Sequence, residues 1–319
     1  MTTTSNIPGD GPSGMRWIPG GRFRMGCENF YPEEAPVRTV GVDGFWIDEV
    51  PVTNAMFKRF VDSTGYVTLA EEPLDPAAYA GVDPALLQPG SLVFVSPRQR
   101  VRLDDISQWW QWRVGADWRH PLGSGSSLAG LEDHPVVHVT HRDAAAYAAW
   151  AGKALPTEAE WERACRGGHE DRDYAWGDEL APGGRMLANY FQGQFPWNNT
   201  CEDGYERTSP VRSYPSNDYG LFDMIGNVWE WTDDWFVPAT MLAKKAPGCG
   251  CAPQNPRGGS QADSTDPRDA STRLGRRVCK GGSHLCAVGY CQRYRPASRH
   301  AQAIDSSTSH IGFRCVVRA

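Results

Sequence analysis

Apolar and polar residues alternate along this chain in short runs, and each run predicts a short element. Met15 to Met25 (MRWIPGGRFRM) alternates and breaks at Gly20-Gly21, as a hairpin would. Val37 to Val50 gives two more extended pieces around Val42-Asp43-Gly44. Thr53 is placed to cap a helix in which Phe57, Phe60 and Val61 follow at helical spacing. Tyr66 to Val95 is rich in Pro and Ala and reads as irregular. Asp143 to Lys153 predicts a helix with Tyr147 and Trp150 on its inner face. Thr157 to Cys165 predicts another, opened by a capping box in which Thr157 and Glu160 satisfy each other's amides. Beyond Gly168 no long helix is predicted, and the polar stretch Asn255 to Leu274 is expected to be a mobile loop. The fold class is α+β: one compact domain over residues 15–319 with little regular secondary structure, behind a disordered lead-in over residues 1–14.

Composition explains how such a chain could hold together. Its 34 Gly and 24 Pro break it into short pieces, so its 13 Trp must help to build the core. Trp109, Trp110, Trp112 and Trp118 read as a lid on that core. A net charge of -6 argues against nucleic acid as a partner. No apolar run approaches the roughly 20 residues of a membrane helix, and the start lacks the basic and apolar regions of a secretion signal. The protein is therefore expected in the cytoplasm, away from membranes and as a monomer. Arg273 to Arg318 is strongly basic, and reads either as a solvated face or as a surface for a partner's carboxylate or carbonyl. Nine cysteines, at 27, 165, 201, 249, 251, 279, 286, 291 and 315, favour reduced thiols over a disulfide framework.

Candidate chemistry concentrates in Lys280 to Arg295 (KGGSHLCAVGYCQRYR). Cys286 and Cys291 can meet if the chain turns between them, and nearby arginines favour the thiolate. Soft thiolates select Cu(I) or zinc. A structural zinc site would want about four ligands, and a second pair at the usual spacing is missing. A redox dithiol and a pair of core cysteines stay open on spacing alone. His284 alternates away from its neighbours. His134 and His138 read as satisfied core histidines rather than a metal pair. Cys249 and Cys251 have no assigned role.

Several motifs then carry a family resemblance: Ile18-Pro-Gly-Gly-Arg-Phe-Arg-Met-Gly26, His134-Pro-Val-Val-His138, Trp150-Ala-Gly-Lys153, Leu155-Pro-Thr-Glu-Ala-Glu-Trp-Glu162, Gly226-Asn-Val-Trp-Glu-Trp231, Lys280-Gly-Gly-Ser283 and Gly312-Phe-Arg-Cys315. The chain resembles the formylglycine-generating enzymes of the sulfatase-modifying family. Tyr31-Pro-Glu-Glu-Ala-Pro36 and Thr64-Gly-Tyr-Val67 point to actinobacterial members. The resemblance implies an O2-using oxidase that converts a cysteine in a Cys-x-Pro-x-Arg segment of an unfolded sulfatase to formylglycine. It implies Cu(I) on Cys286 and Cys291, with the substrate thiolate as third ligand. It places Ser283, Tyr290 and Trp229 beside the pair, and Arg295 and Ser307 in the substrate groove. His310 stands in the same substrate groove, where many relatives carry Asn, and His141 where they carry Trp. Two structural Ca2+ sites are implied, at Asn189, Tyr190, Asp203 and Tyr205, and at Asp223, Gly226, Val228 and Glu230. Exported relatives have disulfides at Cys165 and Cys315; the partner positions here are Pro296 and Ala148, which agrees with a reducing compartment. An iron-dependent oxygenase on the same fold and a non-catalytic relative are the competing readings.

Overall fold

The computed structural model describes residues 11–77, 81–238, 241, 252–268 and 274–319. Cys249, Cys251 and the first ten residues of the expected lead-in lie outside the described residues.

The first four strands are where the sequence predicts them, but they pair differently. β1 (Met15–Ile18) and β2 (Gly21–Met25) do not form a hairpin. β1 lies antiparallel to β4 (Phe45–Asp48), and β2 antiparallel to β3 (Arg38–Val42). The glycines explain the difference. A Cβ on Gly20 would lie 2.8 Å from the Gly44 amide nitrogen, and Gly21 has φ +144°. Two glycines therefore let one ribbon kink against the other instead of folding back on itself. Alternation marked the strands correctly, but it carries no information about the partner.

β13 (Val316–Arg318) takes the other edge of β4, giving a three-stranded sheet β1-β4-β13. Within the same hydrophobic core, α1 (Asn54–Thr64) and α2 (His141–Trp150) pack on each other and α3 (Glu158–Cys165) packs on β2 and β3. Thr53 caps α1 by accepting from the Met56 amide, and Gly65 ends it at φ 69°. The capping box of Thr157 and Glu160 opens α3 as expected. α2 begins earlier than predicted, because Thr140 and Asp143 form a second capping box. Tyr147 is buried on its inner face, but Trp150 is 45% exposed at its last turn. The Trp150 ring covers only the edge of the core, 5.5 Å from the Phe60 ring.

A second sheet has the order β11-β10-β9-β12. β9 (Trp229–Trp235) and β10 (Arg276–Lys280) lie inside; β11 (Arg299–Ala303) and β12 (Ile311–Gly312) are its edges. The stretch read as irregular contains β5 (Gly90–Phe94), which pairs with β6 (Trp110–Val114) beyond it. β7 (Gly193–Gln194) and β8 (Asn198–Asn199) close a short loop. The described part of the loop expected to be mobile is tied down: Arg257 bonds Asp233 and Asp234, and Asn255 bonds Asp43.

The basic stretch is mostly neither a solvated face nor a partner surface. Lys280, Arg295, Arg299 and Arg314 are all buried, paired with Glu162, Glu34, Glu158 and Glu230. Those carboxylates lie far away in sequence, so charge counted along the chain could not reveal the pairing. Among the described residues no helix is long and apolar enough to cross a membrane.

Candidate active site

The site is built on the turn after β10. Gly281 and Gly282 both have positive φ, and a Cβ on Gly282 would meet the Arg293 carbonyl oxygen at 2.7 Å. Only glycine lets the outgoing chain lie so close to the returning one. The Cys286 amide donates to the Ser283 carbonyl at 2.9 Å, and the Cys291 amide to the Ala287 carbonyl at 2.9 Å. These two turns bring Cys286 Sγ to 3.2 Å from Cys291 Sγ. That is well beyond the roughly 2.05 Å of a disulfide, so both sulfurs are free thiols in contact.

Their surroundings divide the proton unequally. Cys286 is 2% exposed, and burial followed by the bond to Cys291 pushes its thiol well up. The Cys286 thiol, donating to Cys291, draws the Cys291 thiol down to about 7, and the Arg293 guanidinium draws it in the same direction. Arg293 Nη1 lies 3.8 Å from Cys291 Sγ. This arginine is itself held by Glu33 and stands 3.9 Å over the Tyr31 ring. The Tyr31 hydroxyl oxygen accepts from the Gln292 amide at 2.9 Å. The Tyr31-Pro-Glu-Glu segment, singled out only as a family marker, thus braces the cysteine turn.

A pH profile follows from this arrangement. In the metal-free protein, alkylation of Cys291 by iodoacetamide should rise with pH through a midpoint near 7, because its folded value lies below the ordinary thiol value. Arg293→Ala should move that midpoint upward. A midpoint at the ordinary thiol value in the unaltered protein, followed by mass spectrometry of the alkylated peptide, would show that Arg293 and Cys286 do not act on this sulfur.

The two thiols form part of the wall of a cleft of about 480 Å³. Trp109, Trp110, Trp229, Tyr290 and His310 are among the other lining residues, none of which is a carboxylate. Tyr290 stacks on Phe195 with ring centroids 4.4 Å apart, and His310 tilts against Trp110 at 4.8 Å. Burial pushes the His310 ring well below its ordinary value, so it is neutral here. The Trp109 to Trp118 cluster is thus more than a core lid: Trp109 and Trp118 are buried, but Trp109 and Trp110 also wall the cleft. Ser283 sits beside the pair, its amide donating to Cys286 Sγ at 3.4 Å.

Two residues implied for the substrate groove lie elsewhere. Arg295 is 1% exposed, paired with Glu34 and stacked 3.6 Å over the Phe30 ring. Arg293 is the arginine that reaches the cleft. Ser307 is buried behind the wall, donating to Ser91 Oγ at 2.9 Å, and its neighbour Thr308 is the lining residue. His138 Nδ1 bonds Ser91 Oγ at 2.7 Å and His134 Nδ1 bonds Thr208 Oγ1 at 3.0 Å, so both histidines are satisfied inside the protein. His141 packs edge-on to Trp231, away from the cleft. The wall residues that sequence reasoning missed include Leu92 and Phe195, from separate segments, and His300 and Gln302, alternate positions on β11 that carry no motif of their own. Arg293 alone carried a signal, being two positions from Cys291.

For copper, the donor set fits: two soft thiols in contact, one of them readily ionised, open to a cleft. Among the described residues no three His, Cys, Asp or Glu side chains gather as the histidine triad of an iron oxygenase would. In the first implied calcium set, Asp203 accepts from the Tyr190 amide at 3.2 Å, the Tyr205 amide at 3.0 Å and Gln192 Nε2 at 2.8 Å, so donors already occupy both of its oxygens. In the second, Asp223 Oδ1 is buried with no hydrogen-bond partner. Burial raises that carboxyl to about 6. An orphaned buried carboxylate oxygen fits a cation. The Glu230 side chain does not offer the same, because Arg314 and Trp161 Nε1 already occupy both its oxygens.

Residues 5–319 match the sulfatase-modifying factor enzyme 1-like domain family. The formylglycine-generating enzyme of Mycobacterium tuberculosis is 53% identical over 299 residues, which cover 94% of this chain and 96% of that protein. The formylglycine-generating enzyme of Thermomonospora curvata is 46% identical over 308 residues, covering 95% and 92%. The solved structure of PvdO from Pseudomonas aeruginosa matches with a TM-score of 0.54 at 22% identity, over 95% of this chain and 93% of that one, and shares the fold. The chain belongs to the sulfatase-modifying factor family, as an oxidoreductase of its formylglycine-generating, actinobacterial branch.

Proposed function

We propose that this protein oxidises a cysteine within a Cys-x-Pro-x-Arg segment of an unfolded sulfatase to formylglycine, with O2 as oxidant and copper held by Cys286 and Cys291. The observation that carries the reading is the pair of thiols 3.2 Å apart in the wall of an aromatic cleft that no carboxylate lines. Copper bound there supplies the one-electron chemistry with O2 that thiols alone lack. The remaining work belongs to the chain. Cys291 is available as a thiolate near neutral pH. The Ser283 amide is positioned to support negative charge on Cys286 once its proton leaves. Arg293 offsets the charge that accumulates as a substrate thiolate joins two others. Trp229, Trp109 and Trp110 keep the approach dry, and Tyr290 covers one side of the mouth.

The reading is tested by loading the protein with Cu(I), adding a Cys-x-Pro-x-Arg peptide and O2, and measuring the aldehyde by mass spectrometry. Absence of aldehyde would overturn the activity; turnover with zinc or iron but not copper would overturn the metal.

The reading extends to Ca2+ at Asp223, with the Gly226 and Val228 carbonyls, and at Asn189, Tyr190, Asp203 and Tyr205. The raised Asp223 carboxyl costs stability as pH rises through about 6, and a bound cation removes that cost. Saturating Ca2+ should therefore raise the melting temperature at pH 7.5 by roughly 5 °C. The gain should shrink at pH 5, where the carboxyl is protonated, and should be smaller in Asp223→Asn at either pH. An equal gain in Asp223→Asn at pH 7.5 would remove Asp223 from the site. A reducing cytoplasm as the compartment, and a monomer as the working form, complete the proposal. The former is supported by the unbridged thiols of Cys165 and Cys315, both buried.

A further inference from the structure

β11 is an edge of the second sheet, paired on one side only, with β10. Its register against β10 sets Ala303 opposite Arg276 and His300 opposite Cys279. The Ile304 amide bonds the Gly275 carbonyl just beyond the strand. Antiparallel hydrogen bonding alternates, so His300 and Gln302 also bond inward to β10. Arg299, Ala301 and Ala303 then turn their backbone groups outward. The Ala303 carbonyl is taken by the Ser306 amide. Among the described residues, the outward N–H and C=O of Ala301 have no partner.

This edge borders a second cleft of about 530 Å³, which all five residues of β11 line. His300 and Gln302 line the cysteine cleft as well, so the two clefts adjoin at these side chains. The charged groups at the second cleft are already engaged: Asp266 with Arg268 and Arg276, Arg299 with Glu158, and Glu33 with Arg293. The side chains at the outward positions 301 and 303 are only methyl groups. What the cleft offers a ligand is therefore mainly main-chain hydrogen bonding, which an extended polypeptide can take up whatever its sequence.

We propose that the substrate polypeptide, on leaving the cysteine cleft, docks as an added strand on the outer edge of β11 at Ala301. This rests on the function proposed above, and it concerns the residues flanking the motif rather than the motif itself. Recognition through the backbone demands an extended, unfolded segment and tolerates variation in flanking side chains.

The test is binding to the metal-free protein, read by fluorescence anisotropy. Labelled peptides carry serine in place of the reactive cysteine, either as the minimal five-residue motif or extended on each side in turn. One extended peptide should bind about tenfold more tightly than the minimal one, the worth of one or two backbone hydrogen bonds. N-methylation along that flank should abolish the gain at one position and spare its neighbours. Ala301→Pro, which removes one outward N–H without touching the ladder to β10, should also abolish it. Ala301→Val, which keeps the N–H, should not. If Ala301→Pro does not fold, the N-methylated series on the unaltered protein decides. Equal affinity of minimal and extended peptides, or indifference to N-methylation at every flanking position, would overturn the inference. Failure of copper-loaded protein to make aldehyde from either cysteine peptide would instead strike at the activity, which the binding series does not use.

Discussion

Cys291→Ser is expected to lower aldehyde formation from a Cys-x-Pro-x-Arg peptide by about 10³-fold or more, and Cys286→Ser to do the same. A serine hydroxyl has nearly the shape of the thiol it replaces, so the fold should survive. What it lacks is softness and acidity: it stays protonated at neutral pH and is a poor donor to a soft ion. Either replacement leaves one sulfur where the geometry supplies two, 3.2 Å apart. Because the two act as a unit, the double variant should be scarcely slower than either single one. Single-turnover mass spectrometry, with circular dichroism to verify folding, gives the comparison. A single variant working within tenfold of the unaltered protein would end the case for a two-thiol centre.

The second large effect is on stability. Arg314 is fully buried. It bonds both oxygens of Glu230 and the carbonyl oxygens of Asp48, Glu49, Phe222 and Asp223. Arg314→Met would leave the Glu230 carboxylate without its counter-ion and strip several carbonyls of their donor. Breaking a buried pair in this way costs about 3–5 kcal/mol. The melting temperature should fall by roughly 10 °C. Arg314→Lys should recover only part of the loss, since an ammonium cannot reproduce the planar fork that serves six acceptors. Adding Glu230→Gln to Arg314→Met should recover part by removing the stranded charge. Thermal unfolding of the four proteins checks this, and a loss under about 1 kcal/mol for Arg314→Met would mean that water reaches Glu230.

How much of this was legible in the sequence depends on the distance over which each feature is decided. The two capped helices α1 and α3 were readable because Thr53 and Thr157 act within a single turn. α2 started early because Thr140 and Asp143 make an equally local box that hydrophobic spacing did not reveal. Strand pairing is settled by residues further off, and there the reading of Met15 to Met25 as a hairpin failed. Trp150 shows the limit of helical spacing, which gives a direction but not how far the core extends. The charged stretch misled for a similar reason: the acids that neutralise Arg295, Arg299 and Arg314 come from the first half of the chain and from β9. The cysteine pair was legible through its surrounding motif. Of the cleft walls, Trp229, Tyr290 and His310 were legible through the family motifs, but Leu92, Phe195, His300 and Gln302 were not, because they meet only after every layer is assembled.

β4 lies between β1 and β13, so the central strand of one sheet is flanked by segments from near the two ends of the sequence. On a ribosome this has a timing consequence. Until residues 316–318 have cleared the exit tunnel, the edge of β4 that they cover is bare and able to pair with a neighbouring nascent chain. Completion of this sheet must therefore wait until residues 316–318 emerge, and the growing polypeptide depends on dilution or on a chaperone to protect that edge until β13 arrives.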